Sequence, residues 1–111
     1  MDITEDASLH DDLQRYLIKV LAIDIKEMLE QAGLSGTALQ EGVAQVTFGV
    51  ATIIDGSRVM AHEGKPVVPV LTFGVVDPDA EEEAITSLIT SGEASFMHEY
   101  ATGVVSELFE S

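Results

Sequence analysis

The chain has 111 residues, 46% of them hydrophobic, and carries 20 acidic against 5 basic residues for a net charge of −15. That length supplies one hydrophobic core and the apolar share is too high for a disordered polymer, so residues 1–111 read as a single acidic α+β domain. With only Arg15, Lys19, Lys26, Arg58 and Lys65 to neutralise phosphates, direct nucleic-acid binding and polybasic attachment to an anionic membrane are excluded.

From Ser8 to about Ala32, Leu9, Leu13, Leu17, Val20, Leu21, Met28 and Leu29 recur at helical spacing. Ser8 is the expected N-cap, and Gly33 takes the left-handed position that ends a helix, with Leu34 packing back. The middle of this helix is apolar on more than one stripe, which predicts burial on two sides. After a connection at Ser35–Glu41, the alternation of Ala44, Val46, Phe48 and Val50 with Gln45, Thr47, Gly49 and Ala51 predicts a strand reaching Ile54. Asp55-Gly56-Ser57 signals a turn, Arg58–His62 a returning strand, and Glu63-Gly64-Lys65-Pro66 a second turn before a strand over Val67–Val76. Pro66 and Pro69 place that last strand at a sheet edge or delay its start.

Asp77-Pro78-Asp79-Ala80 followed by Glu81, Glu82 and Glu83 has the composition of a helix start. Ala84, Ile85, Leu88 and Ile89 then give a helix up to Gly92, and Phe96 to Phe109 a last one. The expected fold is α+β: an N-terminal helix, a three-stranded antiparallel meander and two C-terminal helices (α-β-β-β-α-α), with the helices packed on one sheet face.

No motif for catalysis, phosphate binding or a cofactor is present, and without cysteine there is no disulfide, thiol nucleophile or thiolate metal site. Asp77, Asp79 and Glu81 imitate the start of a calcium loop, but Glu82 stands where its glycine belongs and Leu88 where its bidentate acid belongs. His62 beside Glu63 and His98 beside Glu99 pair imidazole with carboxylate only as sequence neighbours, and His10 sits apart, so no metal ligation is expected. The amino terminus lacks the features of an export signal and no stretch is long enough to span a bilayer, so a cytoplasmic protein is expected.

The favoured function is that of a non-enzymatic interaction module whose acids bind a basic protein, as inhibitors, immunity proteins, chaperones and nucleic-acid mimics do. Asp77, Asp79, Glu81, Glu82 and Glu83 are the expected contacts, joined by Asp11 and Asp12 if the termini associate. A homodimer is expected through Val68, Val70, Thr72 and Val76, because both faces of that strand are apolar. The alternatives are acidity imposed by a salty environment, or a small-ligand or weak metal-binding enzyme with its site assembled across a dimer.

Overall fold

The structure, a computed structural model, describes residues 1–79 and 84–110. In chain order its elements are β1 (Asp2–Glu5), α1 (Ala7–Gln31), α2 (Gly36–Ile54), β2 (Met60–His62), β3 (Lys65–Val67), β4 (Phe73–Val76), β5 (Ile85–Thr90) and α3 (His98–Leu108). The α+β class stands. The element order and the meander do not.

α1 begins earlier than its capping signals suggest: Asp6, not Ser8, is the N-cap, and its Oδ1 accepts the Leu9 N–H at 3.0 Å. At the other end Gly33 has φ of 99°, its N–H bonds the Glu30 carbonyl and Leu34 N–H bonds the Leu29 carbonyl, each at 3.0 Å. This paired closure satisfies two carbonyls the helix would otherwise leave open. Leu34 then packs back against the core, as expected.

Residues 44–54 are helical, not a strand. Their β-branched content favours a strand only weakly, by less than about 1 kcal/mol per residue, and tertiary packing overrides it. Leu39, Val43, Thr47 and Ala51 recur every four residues and are all buried, so α2 supplies the stripe that α1 needs opposite it. Gly42 permits the close approach: a Cβ there would stand 3.2 Å from Leu29 Cδ1 and 3.3 Å from Leu34 Cδ2.

The turn at Glu63-Gly64 is where the sequence puts it, with both residues at positive φ (50° and 77°), the geometry of a two-residue hairpin loop. It joins β2 to β3 in a separate antiparallel ribbon, His62 opposite Lys65. The single strand expected over Val67–Val76 is divided: β3 ends at Val67, residues 68–72 connect, and β4 starts at Phe73. The expected helix after Asp77 is also absent from its described part, since Ile85–Thr90 is strand β5. β5 is the middle strand of a β1-β5-β4 sheet, antiparallel to β4 and parallel to β1, which the sequence reading missed.

The helices pack mainly on one another rather than on one sheet face; α1 meets the sheet chiefly at β5, with His10 reaching Phe73 of β4. One core cluster joins Ala22 and Ile25 of α1 to Leu39, Val43 and Val105. The other joins Ile18 to Ala51, Met97 and Ala101. Each fully buried large side chain among them contributes about 1.5–3 kcal/mol. The radius of gyration is 16.4 Å, against about 13 Å for a compact domain of this length. The molecule is open, with uncovered apolar surface on α1, on the β2–β3 ribbon and on β4.

Candidate functional site

The polar side chains converge where α3 begins. Asp55 at the end of α2 is buried, and its carboxylate accepts three hydrogen bonds: from Ser95 Oγ at 2.5 Å, from the His98 backbone N–H at 2.8 Å and from His98 Nδ1–H at 2.6 Å. Burial pushes this carboxyl group up, but the bonds from Ser95, from the His98 backbone and ring and from the Met97 backbone outweigh it, and its pKa lies below the ordinary 3.8. The negative charge also faces the positive end of the α3 dipole. Alongside, Gln14 Oε1 accepts the Phe96 N–H at 3.1 Å. Asp55 thus satisfies a backbone donor that the first turn of α3 cannot pair internally, and Gln14 pairs one in the segment leading into it.

On the α1 side of the same turn, Tyr100 donates its hydroxyl to Asp11 Oδ1 at 2.5 Å, and Arg15 Nε donates to Asp11 Oδ2 at 3.1 Å. The Arg15 guanidinium also stacks 4.5 Å from the Tyr100 ring centre. The Tyr100 bond, helped by Arg15, holds the Asp11 carboxyl below its ordinary range; the same bond raises the phenol, against the opposing effect of Arg15. An open groove of about 340 Å³ follows along α1 and α3, lined by Arg15, Lys19, Glu99, Tyr100 and Glu107 among others.

His98 bonded to a buried carboxylate through Nδ1 has the form of an oriented general base, with Nε2 left for a substrate. Its surroundings assign it a different task. Ser95 donates to Asp55 instead of standing opposite Nε2, Phe48 packs edge-on to the ring at 6.1 Å, and the groove lies along the other side of α3. What the arrangement does is clamp α3 onto the α1–α2 pair.

The expected contact residues fall into two groups. β1 runs parallel to β5 with Asp2 opposite Ser87 and Glu5 opposite Thr90, so the start of the chain lies beside its carboxy-terminal half, but Asp11 and Asp12 are not brought beside Asp77 and Asp79. Asp77 and Asp79 follow β4, whose end pairs with the start of β5, and so lie toward the Asp2 end of the sheet. Asp77 Oδ1 accepts the Asp79 N–H at 2.9 Å. Asp11 and Asp12 lie beyond the Glu5 end; Asp12 is exposed, whereas Asp11 is engaged by Tyr100, Arg15 and Gln14. Glu81, Glu82 and Glu83 lie outside the described residues. Val68, Val70, Thr72 and Val76 are all exposed, the first three in the connection before β4 and the last within it.

The histidines do not meet. His10 is buried against Phe73, donating from Nε2 to the Leu71 carbonyl at 2.9 Å, while His62 sits in the exposed ribbon. Among the described residues no group of three or more His, Asp or Glu is placed to hold a metal ion. Sequence reasoning paired His98 with Glu99 and missed Asp55, Gln14 and Ser95. The contacts from Asp55 span 40 and 43 residues, and no local pattern encodes them. No helix among the described residues is long and apolar enough to cross a membrane. The chain matches no protein-family model, no curated protein and no solved structure.

Proposed function

We propose that the protein is a non-enzymatic, homodimeric interaction module whose acidic surface binds a basic protein. The observation that carries this reading is the parallel pairing of β1 with β5, together with the packing of α1 on α3, which draws the two acid-rich ends of the chain into one unit. Residues 42–76 hold two acids, Asp55 and Glu63, and two bases, Arg58 and Lys65, so the −15 of the whole chain is carried by the two flanking segments. Acidity imposed by a salty environment would spread over every exposed element. This acidity is confined, and a confined field steers a partner of opposite charge.

The contacts assigned to the partner are Asp77 and Asp79, toward the Asp2 end of the sheet, and Asp12, toward the other end of β1, together with Glu81, Glu82 and Glu83 of the sequence. Exposed apolar side chains at Val68, Val70 and Val76, beside Thr72, support the homodimeric part of the reading. The test is affinity capture from the source extract, followed by binding measurements on the purified pair. Wild type retains a basic protein in near-equal amount at about 0.15 M salt and releases it at about 1 M, where the screening length falls to roughly 3 Å. A chain carrying Asp2→Asn, Asp77→Asn and Asp79→Asn binds that protein more slowly. Capture of no basic protein, or equal association by the neutralised chain, sinks the reading.

A further inference from the structure

The segment 57–67, which contains the β2–β3 ribbon, is exposed at every residue, and its strands pack substantially only on each other. A two-stranded hairpin is marginally stable by itself in water, so this one needs a surface to lie on. Val59 is 67% exposed, Met60 52% and Val67 39%. Arg58 and Lys65 against Glu63 give the segment a charge of +1, which leaves −16 on the rest of a chain whose total is −15. It is a basic, apolar arm on an acidic body.

A matching surface is the outer face of α1. Leu9, Leu13, Tyr16, Val20 and Ile23 recur at alternating four- and three-residue steps, on the side opposite the buried stripe of His10, Gln14, Ile18, Ala22 and Ile25. Leu9, Tyr16, Val20 and Ile23 are 40%, 71%, 39% and 43% exposed. A helix apolar on two sides requires a second partner, and among the described residues none covers this face. Asp12, Asp24 and Glu27 border the face, with Lys19 the base among them.

We infer that two copies of this chain exchange arms, the β2–β3 ribbon of each lying on the outer face of α1 of the other. Apolar surface meets apolar surface, and Arg58 and Lys65 meet the carboxylates that border α1. A two-fold axis makes the contact twice. The seven exposed side chains of arm and helix together present on the order of 600 Å² per copy, most of the roughly 800 Å² that each partner gives to a stable dimer. The inference rests on the homodimeric part of the proposed function and assigns its contact to surfaces other than Val70 and Val76.

Sedimentation equilibrium of the full chain from about 5 to 200 µM tests it, at about 0.1 M and about 1 M salt. Wild type is a dimer that weakens at the higher salt. Met60→Asp on the arm and Val20→Asp on the helix each weaken it at least about tenfold, since each puts a charge into a contact that excludes water. Both sites are exposed, so the helical circular dichroism is retained; Arg58→Glu, which disturbs no packing, weakens the dimer in the same direction. The decisive step is to mix the Met60→Asp and Val20→Asp chains. One of the two arm–helix contacts is then intact, and a heterodimer forms more tightly than either variant self-associates.

Failure of the mixture to do so overturns arm exchange. A dimer broken by Val70→Asp with Val76→Asp but untouched by Met60→Asp and Val20→Asp also overturns it, while the homodimeric reading survives. A wild-type monomer at every concentration overturns both.

Discussion

Thr-Phe-Gly-Val occurs twice, at residues 47–50 inside α2 and at residues 72–75 at the start of β4. In the helix Thr47 faces the core, Phe48 packs edge-on to His98, and a Cβ on Gly49 would meet open space. In the strand Thr72 is exposed, Phe73 packs edge-on to His10 at 5.3 Å, and a Cβ on Gly74 would stand 3.2 Å from the Ile85 side chain. One tetrapeptide thus adopts two backbones. Flanking residues decide: Leu39, Val43 and Ala51 continue the first copy at four-residue spacing onto α1, whereas β5 offers the second a hydrogen-bonding edge. Local preference is too weak to choose between them.

Removing His10 from one pair, or the Asp55 that holds His98 in the other, breaks the comparison most strongly. His10→Ala leaves the Leu71 carbonyl without its donor and opens a cavity beside Phe73, for a loss of about 2–4 kcal/mol in urea unfolding. Asp55→Ala, which frees the ring beside Phe48 and strips Ser95 and the His98 N–H of their acceptor, costs about 2–3 kcal/mol. Because the Asp55 pKa lies below 3.8 in the folded chain, its contribution is present above that value and fades as pH falls through the folded value. Asp55→Asn removes that part of the acid sensitivity; an unchanged acid-unfolding curve would show that the clamp is unimportant.

Smaller changes sharpen the comparison. Thr47→Val exchanges a buried hydroxyl without a partner for a methyl group and raises stability by about 1 kcal/mol, while Thr72→Val at its exposed position stays within about 0.5 kcal/mol of wild type. Gly49→Ala, on a helix with room for the methyl group, gains about 0.5–1 kcal/mol. Gly74→Ala gains less, because Ile85 must give way. Equal responses at the paired positions would mean that the two tetrapeptides do not differ in this way.

What was legible in the sequence follows the same division. α1 was readable because its period, its left-handed Gly33 and Leu34 are all local, and so was the Glu63-Gly64 turn. α2 was not, because Val46, Thr47, Val50 and Ile53 favour extended backbone and only the demand of α1 for a partner overrides them. The acids at 77–83 suggested a helix start, yet Ile85–Thr90 lies between β1 and β4, where two neighbours pair its backbone. The helical period of α1 was legible, but its buried stripe was not: Leu9, Val20 and Met28 are exposed, while His10, Gln14, Ile18, Ala22 and Ile25 face inward. Of the site, the acidity of both ends of the chain was legible in the composition, but their packing was not, since like charges repel and apolar contacts decide it. The clamp of Asp55 on Ser95 and His98 was not, since it exists only once α2 and α3 are docked.

The central claim is that the joined acidic ends form a surface for basic ligands. It is tested most directly by titrating isotope-labelled protein with a lysine decapeptide and following amide shifts at about 0.15 M salt, where screening acts beyond roughly 8 Å. The account predicts perturbations concentrated on residues 2–12 and 77–93 and nearly absent from 42–56. Shifts spread evenly over every carboxylate-bearing element, or no shifts at all, would contradict it.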